Sequence, residues 1–269
     1  MTVDILGDSR WVIIGAGNVG SILLERLRSA GVPADHILVS EEEAGRCERV
    51  STRFGVRAAR LGDGSMGAAD VFLLATPPGA VLQALNALKA RLRPGQAVIS
   101  FAAAVSLARL EAAVPPGVAV VRVMPNAPSL IGEGMNPVVY GGSVEPRVRE
   151  RVETLLAELG RSVGVRDDQM NWCVGLTGAA MRTLLPALEG MTRAGMEAGL
   201  SPADARTVAA QAMRGTASLV LQTDLTFEQL KGLTPMETVD EAALTQVLQD
   251  AARSAMEKTH RLQAKLEAG

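Results

Sequence analysis

Gly15, Gly17 and Gly20 stand in the order G-x-G-x-x-G within GAGNVG, directly after the apolar run WVII and directly before a stretch with helical spacing. At that spacing the first glycine allows a tight turn, the second lets backbone approach a diphosphate, and the third lets helix and strand pack closely. Ala16 lies between the first two, and a helix beginning at Asn18 and Val19 turns its unpaired N–H groups and the positive end of its dipole toward the same anion. The chemistry implied is the binding of a dinucleotide at residues 15–20. A structural glycine turn that holds no ligand is the plain alternative. Ser40 and Glu41 close the next apolar run, HILVS, and Glu41 follows the glycines by about 20 residues, where an acidic side chain bonds ribose hydroxyls and repels a 2′-phosphate. Ser40-Glu41-Glu42-Glu43 contains no arginine, and Arg46 is the nearest, so Glu41 favours NADH over NADPH. The same acids also suit the first turn of the following helix.

Further chemistry-bearing loops follow later apolar runs. ATPPGA places Ala75, Thr76 and Pro77 after DVFLLA; SFAAAV places Ala102 and Ala103 after QAVI, with side chains small enough for a flat ring to lie near the backbone. MPNAPSLIGEGM follows VAVVRV, and two prolines brace Asn126, whose amide can donate and accept toward a carboxamide or substrate group, or can bond its own turn.

The elements that must hold these loops alternate. Helical spacing over 18–30, 42–54 and 79–92 and in LARLEAAV separates the runs WVII, HILVS, DVFLLA, QAVISFA and VAVVRVM. That pattern predicts an α/β fold with a doubly wound, mostly parallel sheet of the Rossmann type, whose strands read as continuous Val/Ile/Leu because both faces are covered. NPVVYGG and RSVGV fit added strands around the helix in RVRERVETLLAELG. Beyond residue 167 the strand signal stops. Three long segments then show helical spacing, the second opened by Ser201 as a cap with Pro202 at the first helical position. The first of them is rich in Gly, Ala and Met, with Met181, Met191 and Met196 on it and Met213 beyond, and is expected to pack within a helical domain or a subunit interface. The expected division is a dinucleotide-binding domain over 1–165 and an all-helical domain over 166–269.

Composition narrows the class. With 27 basic against 29 acidic residues and a net charge of −2 there is no basic stripe for nucleic acid. The 3% aromatic content leaves few rings to stack on bases. Two cysteines, Cys47 and Cys173, lack partners at metal-ligand spacing, so no metal is expected. No apolar run is long enough to span a membrane, and the amino terminus MTVDILGDSR does not read as a leader, so the expectation is a cytoplasmic protein. His36 and His260 lie away from the motifs and read as surface residues, and Cys173 reads as a small core residue.

The ordered set GAGNVG, ATPPG, SFAAAV, VRVMPNAPSLIGEGM and VGLTGAA resembles the pyrroline-5-carboxylate reductase family from Trp11 onward, most specifically in RVMPNAP, which is close to that family's R-x-M-P-N-x-P. The resemblance implies a C-terminal helical domain that interlocks with a second subunit in a homodimer or higher homo-oligomer. It also implies an active site at that interface, and hydride transfer from NADH or NADPH to the C=N bond of a cyclic imino acid, giving proline. Hydroxyls suffice to orient the substrate: Thr177 and Thr238 are the catalytic candidates. Asn126, Gly178 and Thr234 join those two threonines as substrate-binding residues, and back-bonding to a helix is the alternative use of each threonine. Three motifs depart from the family. Its V-K-P reads Thr76-Pro77-Pro78, its S-G-S-G-P-A-Y reads Thr177-Gly178-Ala179-Ala180-Met181-Arg182-Thr183, and its S-P-G-G-T-T reads Thr234-Pro235-Met236-Glu237-Thr238-Val239. A glycine pair offers bare N–H groups to a carboxylate, whereas Met and Glu add bulk and negative charge. Those departures keep two alternatives open: a reductase or dehydrogenase of a different imine or hydroxy acid, and a catalytically silent relative that binds the dinucleotide.

Overall fold

The computed structural model describes residues 4–234, 236 and 238–268. Eight strands form one sheet: β1 (Trp11–Ile14), β2 (Ile37–Ser40), β3 (Arg57–Ala58), β4 (Val71–Leu74), β5 (Ala97–Ser100), β6 (Ala119–Val123), β7 (Gly134–Tyr140) and β8 (Gly160–Gly164). Their spatial order is β3-β2-β1-β4-β5-β6-β7-β8. The first six run parallel, β7 is antiparallel to β6, and β8 is parallel to β7. The mostly parallel, doubly wound α/β sheet expected from the alternating pattern is therefore present. The chain leaves β1 for β2 on one side and later returns to β4 on the other, which opens a crevice at the carboxyl ends of β1 and β4.

Alternate residues of the strands feed two apolar layers. Trp11 and Ile13 join a layer with Leu23, Leu24 and Leu27 of α1 (Asn18–Ser29), Val50 of α2 (Ala44–Phe54) and Leu155, Leu156 and Leu159 of α5 (Pro146–Leu159). Val12 and Ile14 join the opposite layer with Ala84, Leu85 and Leu88 of α3 (Val81–Leu88) and Leu110 of α4 (Leu107–Ala113). Each fully buried aliphatic side chain contributes about 1.5–3 kcal/mol, so the covered sheet is the rigid platform for the loops at its end.

Several boundaries differ from the sequence reading, each for a local reason. Helix α2 starts at Ala44 rather than residue 42 because Glu43 caps it, its carboxylate accepting from Arg46 N. The helix after ATPPGA opens as a 3-10 turn over Pro78–Ala80 and α3 ends at Leu88. Strand β3 has two residues, too few for a periodic signal. The long helical stretch after residue 167 is interrupted: α6 (Met170–Cys173) is followed by a π-helical turn, Val174–Gly178, and then by α7 (Ala180–Glu197).

By contacts the chain forms two compact units, residues 4–178 with 254–268, and residues 179–253. That partition follows packing, whereas a division at residue 165 marks where the strands stop. The second unit is helical: α7, α8 (Pro202–Gln222), α9 (Phe227–Gly232) and the first part of α10 (Glu241–Ala268). Gly199 ends the turn after α7 in the left-handed region (φ +92), and Ser201 caps α8 by accepting from Asp204 N. The two helices pack where a Cβ on Gly195 would lie 3.1 Å from that of Ala205. Of the two settings expected for Met181, Met191 and Met196, a helical domain or a subunit interface, the first is not met in the single chain. No residue of α7 is buried, and these methionines are exposed among the described residues. No helix among the described residues is long and apolar enough to cross a membrane.

A Cβ on Gly20 would overlap the carbonyl oxygen of Gly15, a backbone atom that cannot step aside. Gly20→Ala is therefore expected to lower Tm by about 5 °C, measured by calorimetry; an unchanged Tm would mean that the turn has room to relax.

Candidate active site

The glycine turn is held from both sides. Gly15 N donates to Ser40 O and Ala75 N donates to Ile14 O, each at 2.8 Å, which docks the turn onto the ends of β2 and β4. Gly15 has φ +90, and a Cβ there would lie 2.8 Å from Ala75 O. Gly17 differs from its two neighbours: a Cβ built on it meets nothing within 4 Å, so its missing side chain leaves open space beside the backbone. Gly17 is also the N-cap of α1, with no side-chain cap and no acid in the first turn, so the helix keeps free N–H donors there. An uncapped helix end beside a side-chain-free approach fits a diphosphate.

The turn forms one wall of a cleft of about 660 Å³, a size suited to a ligand site. Gly15, Gly17, Asn18 and Val19 line it after β1; Ser40 and Glu41 after β2; Ala75, Thr76 and Pro77 after β4; and Ala102 and Ala103 after β5. Ala16 and Gly20 are buried beneath this surface. Ala104, the one described non-glycine residue with positive φ (63°), shapes the loop after β5. The Thr76 hydroxyl oxygen is buried without a partner among the described residues. Arg46, named from sequence only as the nearest arginine, and Leu61, Gln83, Phe101, Met124 and Pro125, not assigned to the site from sequence, also line the cleft. Phe101, Met124 and Pro125 belong to loops already singled out. Arg46 was visible one helical turn beyond the acid run, a spacing that returns a side chain toward the strand end.

Glu41 is bound to the turn itself. One carboxylate oxygen accepts from Ala16 N at 2.8 Å, the other from Glu43 N at 3.0 Å, and Arg46 Nη1 lies 3.3 Å from the first. Burial raises the Glu41 pKa, but the backbone donors of Glu43 and Ala16 and the Arg46 guanidinium outweigh it and hold the carboxyl below its ordinary value of 4.5. Arg46 also pairs with Glu43 at 3.3 Å. The expected acidic pole for a ribose is thus accompanied by a guanidinium.

Asn126 lines a smaller hollow of about 210 Å³ with Gly178, and this hollow shares Asn18, Val19 and Pro125 with the cleft. The Asn126 side chain accepts from Met135 N at 3.0 Å and donates to Thr177 O at 3.4 Å, joining the loop after β6 to β7 and to the π turn. The Thr177 hydroxyl donates to Cys173 O at 2.8 Å, the back-bonding alternative, and keeps only lone pairs for another group. Burial pushes the Cys173 thiol up, so it stays protonated within its apolar cluster. Thr234 and Thr238 are exposed residues of the second unit, between α9 and α10. Pro235 and Glu237 of that loop lie outside the described residues.

Residues 10–104 match a family described as NADP oxidoreductase coenzyme F420-dependent, and residues 167–263 match pyrroline-5-carboxylate reductase dimerisation. A pyrroline-5-carboxylate reductase of Corynebacterium melassecola is 30% identical over 216 residues, covering 78% of this chain and 79% of that protein. The chain belongs to the pyrroline-5-carboxylate reductase family. A family member from Pseudomonas aeruginosa is 29% identical over 223 residues, covering 82% of each chain. The solved structure of the Plasmodium falciparum pyrroline carboxylate reductase, which has NADP bound, matches in fold with a TM-score of 0.84 at 19% identity over 96% of this chain and 99% of that one. The reductase family's dimerisation segment includes α7 and its uncovered methionines.

Gly17→Val should weaken NADH binding about 100-fold by displacing charge-assisted backbone contacts, while Tm stays near that of the native protein because no described atom is in the way; a fluorescence titration with unchanged affinity would contradict the assignment. Glu41 contributes stability that is full above its ordinary pKa and is lost as pH falls from there through its lower folded value. Glu41→Gln should therefore flatten the fall in Tm as pH drops below the ordinary value of 4.5, and parallel Tm profiles would remove Glu41 from that role.

Proposed function

We propose that this protein is an NAD(P)H-dependent reductase of a cyclic imino acid, converting pyrroline-5-carboxylate to proline. The observation that carries the proposal is an open, side-chain-free approach at Gly17, on the uncapped end of α1, in a chain of this reductase family. When bound, the reduced nicotinamide supplies the hydride that adds to the imine carbon. The protein's own tasks are to bind, orient and keep water away.

Gly15, Gly17 and the first N–H groups of α1 hold the diphosphate. Glu41 receives ribose hydroxyls and favours NADH, while Arg46 beside it offers a 2′-phosphate a positive partner, so both coenzymes can be served. Ala102, Ala103, Met124 and Pro125 give the site apolar walls. Thr177, whose proton is committed to Cys173 O, is suited to accept a hydrogen bond from a protonated imine nitrogen. Asn126 and Gly178 shape the neighbouring hollow, and Thr234 and Thr238 join the substrate site on the strength of the family resemblance alone. Homo-oligomerisation through residues 167–263 covers the apolar face of α7, and two free thiols suit a reducing compartment such as the cytoplasm. Met236, exposed where the family pattern has glycine, favours a second reading in which a different imino acid is the preferred substrate.

The deciding assay is NADH oxidation across a small panel of cyclic imines and hydroxy acids. Turnover of pyrroline-5-carboxylate with release of proline is expected, and coenzyme binding without turnover of any imine would contradict the proposal. Exchanging Met236 and Glu237 for a Gly-Gly pair should lower KM for pyrroline-5-carboxylate by about tenfold, since removing a repulsive charge near an anion is worth roughly one decade; a raised KM would favour the different substrate.

A further inference from the structure

Arg122 lies in β6 beside Ser100 of β5 and Val139 of β7, and it is 2% exposed. Its Nη1 pairs with Asp167, while Nε and Nη2 donate to no described protein atom. A buried guanidinium with one counter-charge and two idle donors is a poor source of stability, since desolvation offsets most of the attraction. Its place in the chain suggests another use. Met124 and Pro125, two and three residues on, line the cleft, and Asn126 bonds to the π turn.

Asp167 joins more than one segment. Its second carboxylate oxygen accepts from Leu107 N at 3.0 Å, at the start of α4, where the N-cap Ser106 supplies no side-chain bond. Leu107 follows the loop of Ala102, Ala103 and the left-handed Ala104. Asp167 itself begins the turn that leads into α6 and the π turn holding Thr177. An independent observation links the same segments: Met124, Met170 and Cys173 form a buried cluster on which Ala103, Leu107 and Val174 pack.

We propose that Arg122 and Asp167 are positioning residues that fix the loop after β5, the loop after β6 and the π turn relative to one another, and so set the spacing of the walls on either side of the reacting ring. This rests on the cleft being the coenzyme site. Removing both charges keeps the packing and severs only the link: Arg122→Met fills the same space, and Asp167→Asn retains an acceptor for Leu107 N.

The test compares D167N, R122M/D167N and R122K with the native protein by Tm, by hydrogen–deuterium exchange without coenzyme, and by kcat and KM for NADH oxidation. D167N alone strands a buried charge and should lose about 10 °C in Tm, and the double variant should recover most of it. The double variant should nevertheless exchange faster over 102–107, 124–129 and 167–178 with β1 and β4 unchanged, and kcat should fall about 100-fold while KM for NADH moves less than threefold. R122K, which keeps a point charge, should restore part of kcat. Native exchange over those three segments in the double variant, a rise spread equally over β1 and β4, or a native kcat would each overturn the proposal. If the native protein failed to bind NADH, the reading of the cleft would fall, and the exchange pattern would still decide whether the pair couples the three segments.

Discussion

Two backbone segments approach too closely for any side chain to stand between them: the turn from β1 into α1, and the end of β4. Gly15 against Ala75 O is the contact that requires it, and Gly20 against Gly15 O closes the turn on itself. Because β1 lies inside the sheet, with β2 on one side and β4 on the other, this approach fixes the crevice in which a ligand can sit. Every other wall of the cleft is placed relative to that turn. The missing Cβ at Gly17 is then a consequence of a different kind, since no packing demands it and only an approaching ligand uses the space.

The electrostatics of the turn follow from the same arrangement. Glu41 completes the N–H of Ala16, a donor that the sharp turn would otherwise leave without a partner. Its charge is in turn balanced by Arg46, so the carboxylate proposed to receive the ribose is one already held in place rather than a mobile one. A fixed carboxylate loses little freedom when hydroxyls bind to it, which favours recognition by preorganisation. The opposite end of the cleft is built from small and apolar groups, Ala102, Ala103, Met124 and Pro125, and a low-dielectric wall of that kind strengthens the few polar contacts made across it.

Much of this was legible in the residues themselves. WVII, HILVS, VFLL and AVIS read as strands because both faces of a parallel sheet are covered and their periodicity vanishes. GAGNVG read as a turn because only glycine satisfies its sterics. Strand β3 escaped notice because two residues carry no pattern, and the interruption after Cys173 escaped because a π turn keeps the apolar spacing of the helix around it. Arg46 was discounted because distance along the chain is a poor guide once a helix intervenes. The Arg122 and Asp167 pair spans 45 residues of sequence, and no local spacing reveals such a contact. The exposed methionines of α7 show the same limit from the other side, since apolar residues at helical spacing look the same in sequence whether or not their own chain covers them.

A crystal structure of the protein grown with NADH tests the central claim most directly. The account requires the diphosphate to lie against Gly17 and the first turn of α1, with the ribose beside Glu41 and the nicotinamide between Ala103 and Pro125. Density for the coenzyme anywhere else on the chain, or a diphosphate that does not touch the turn at Gly15 to Gly20, would contradict it.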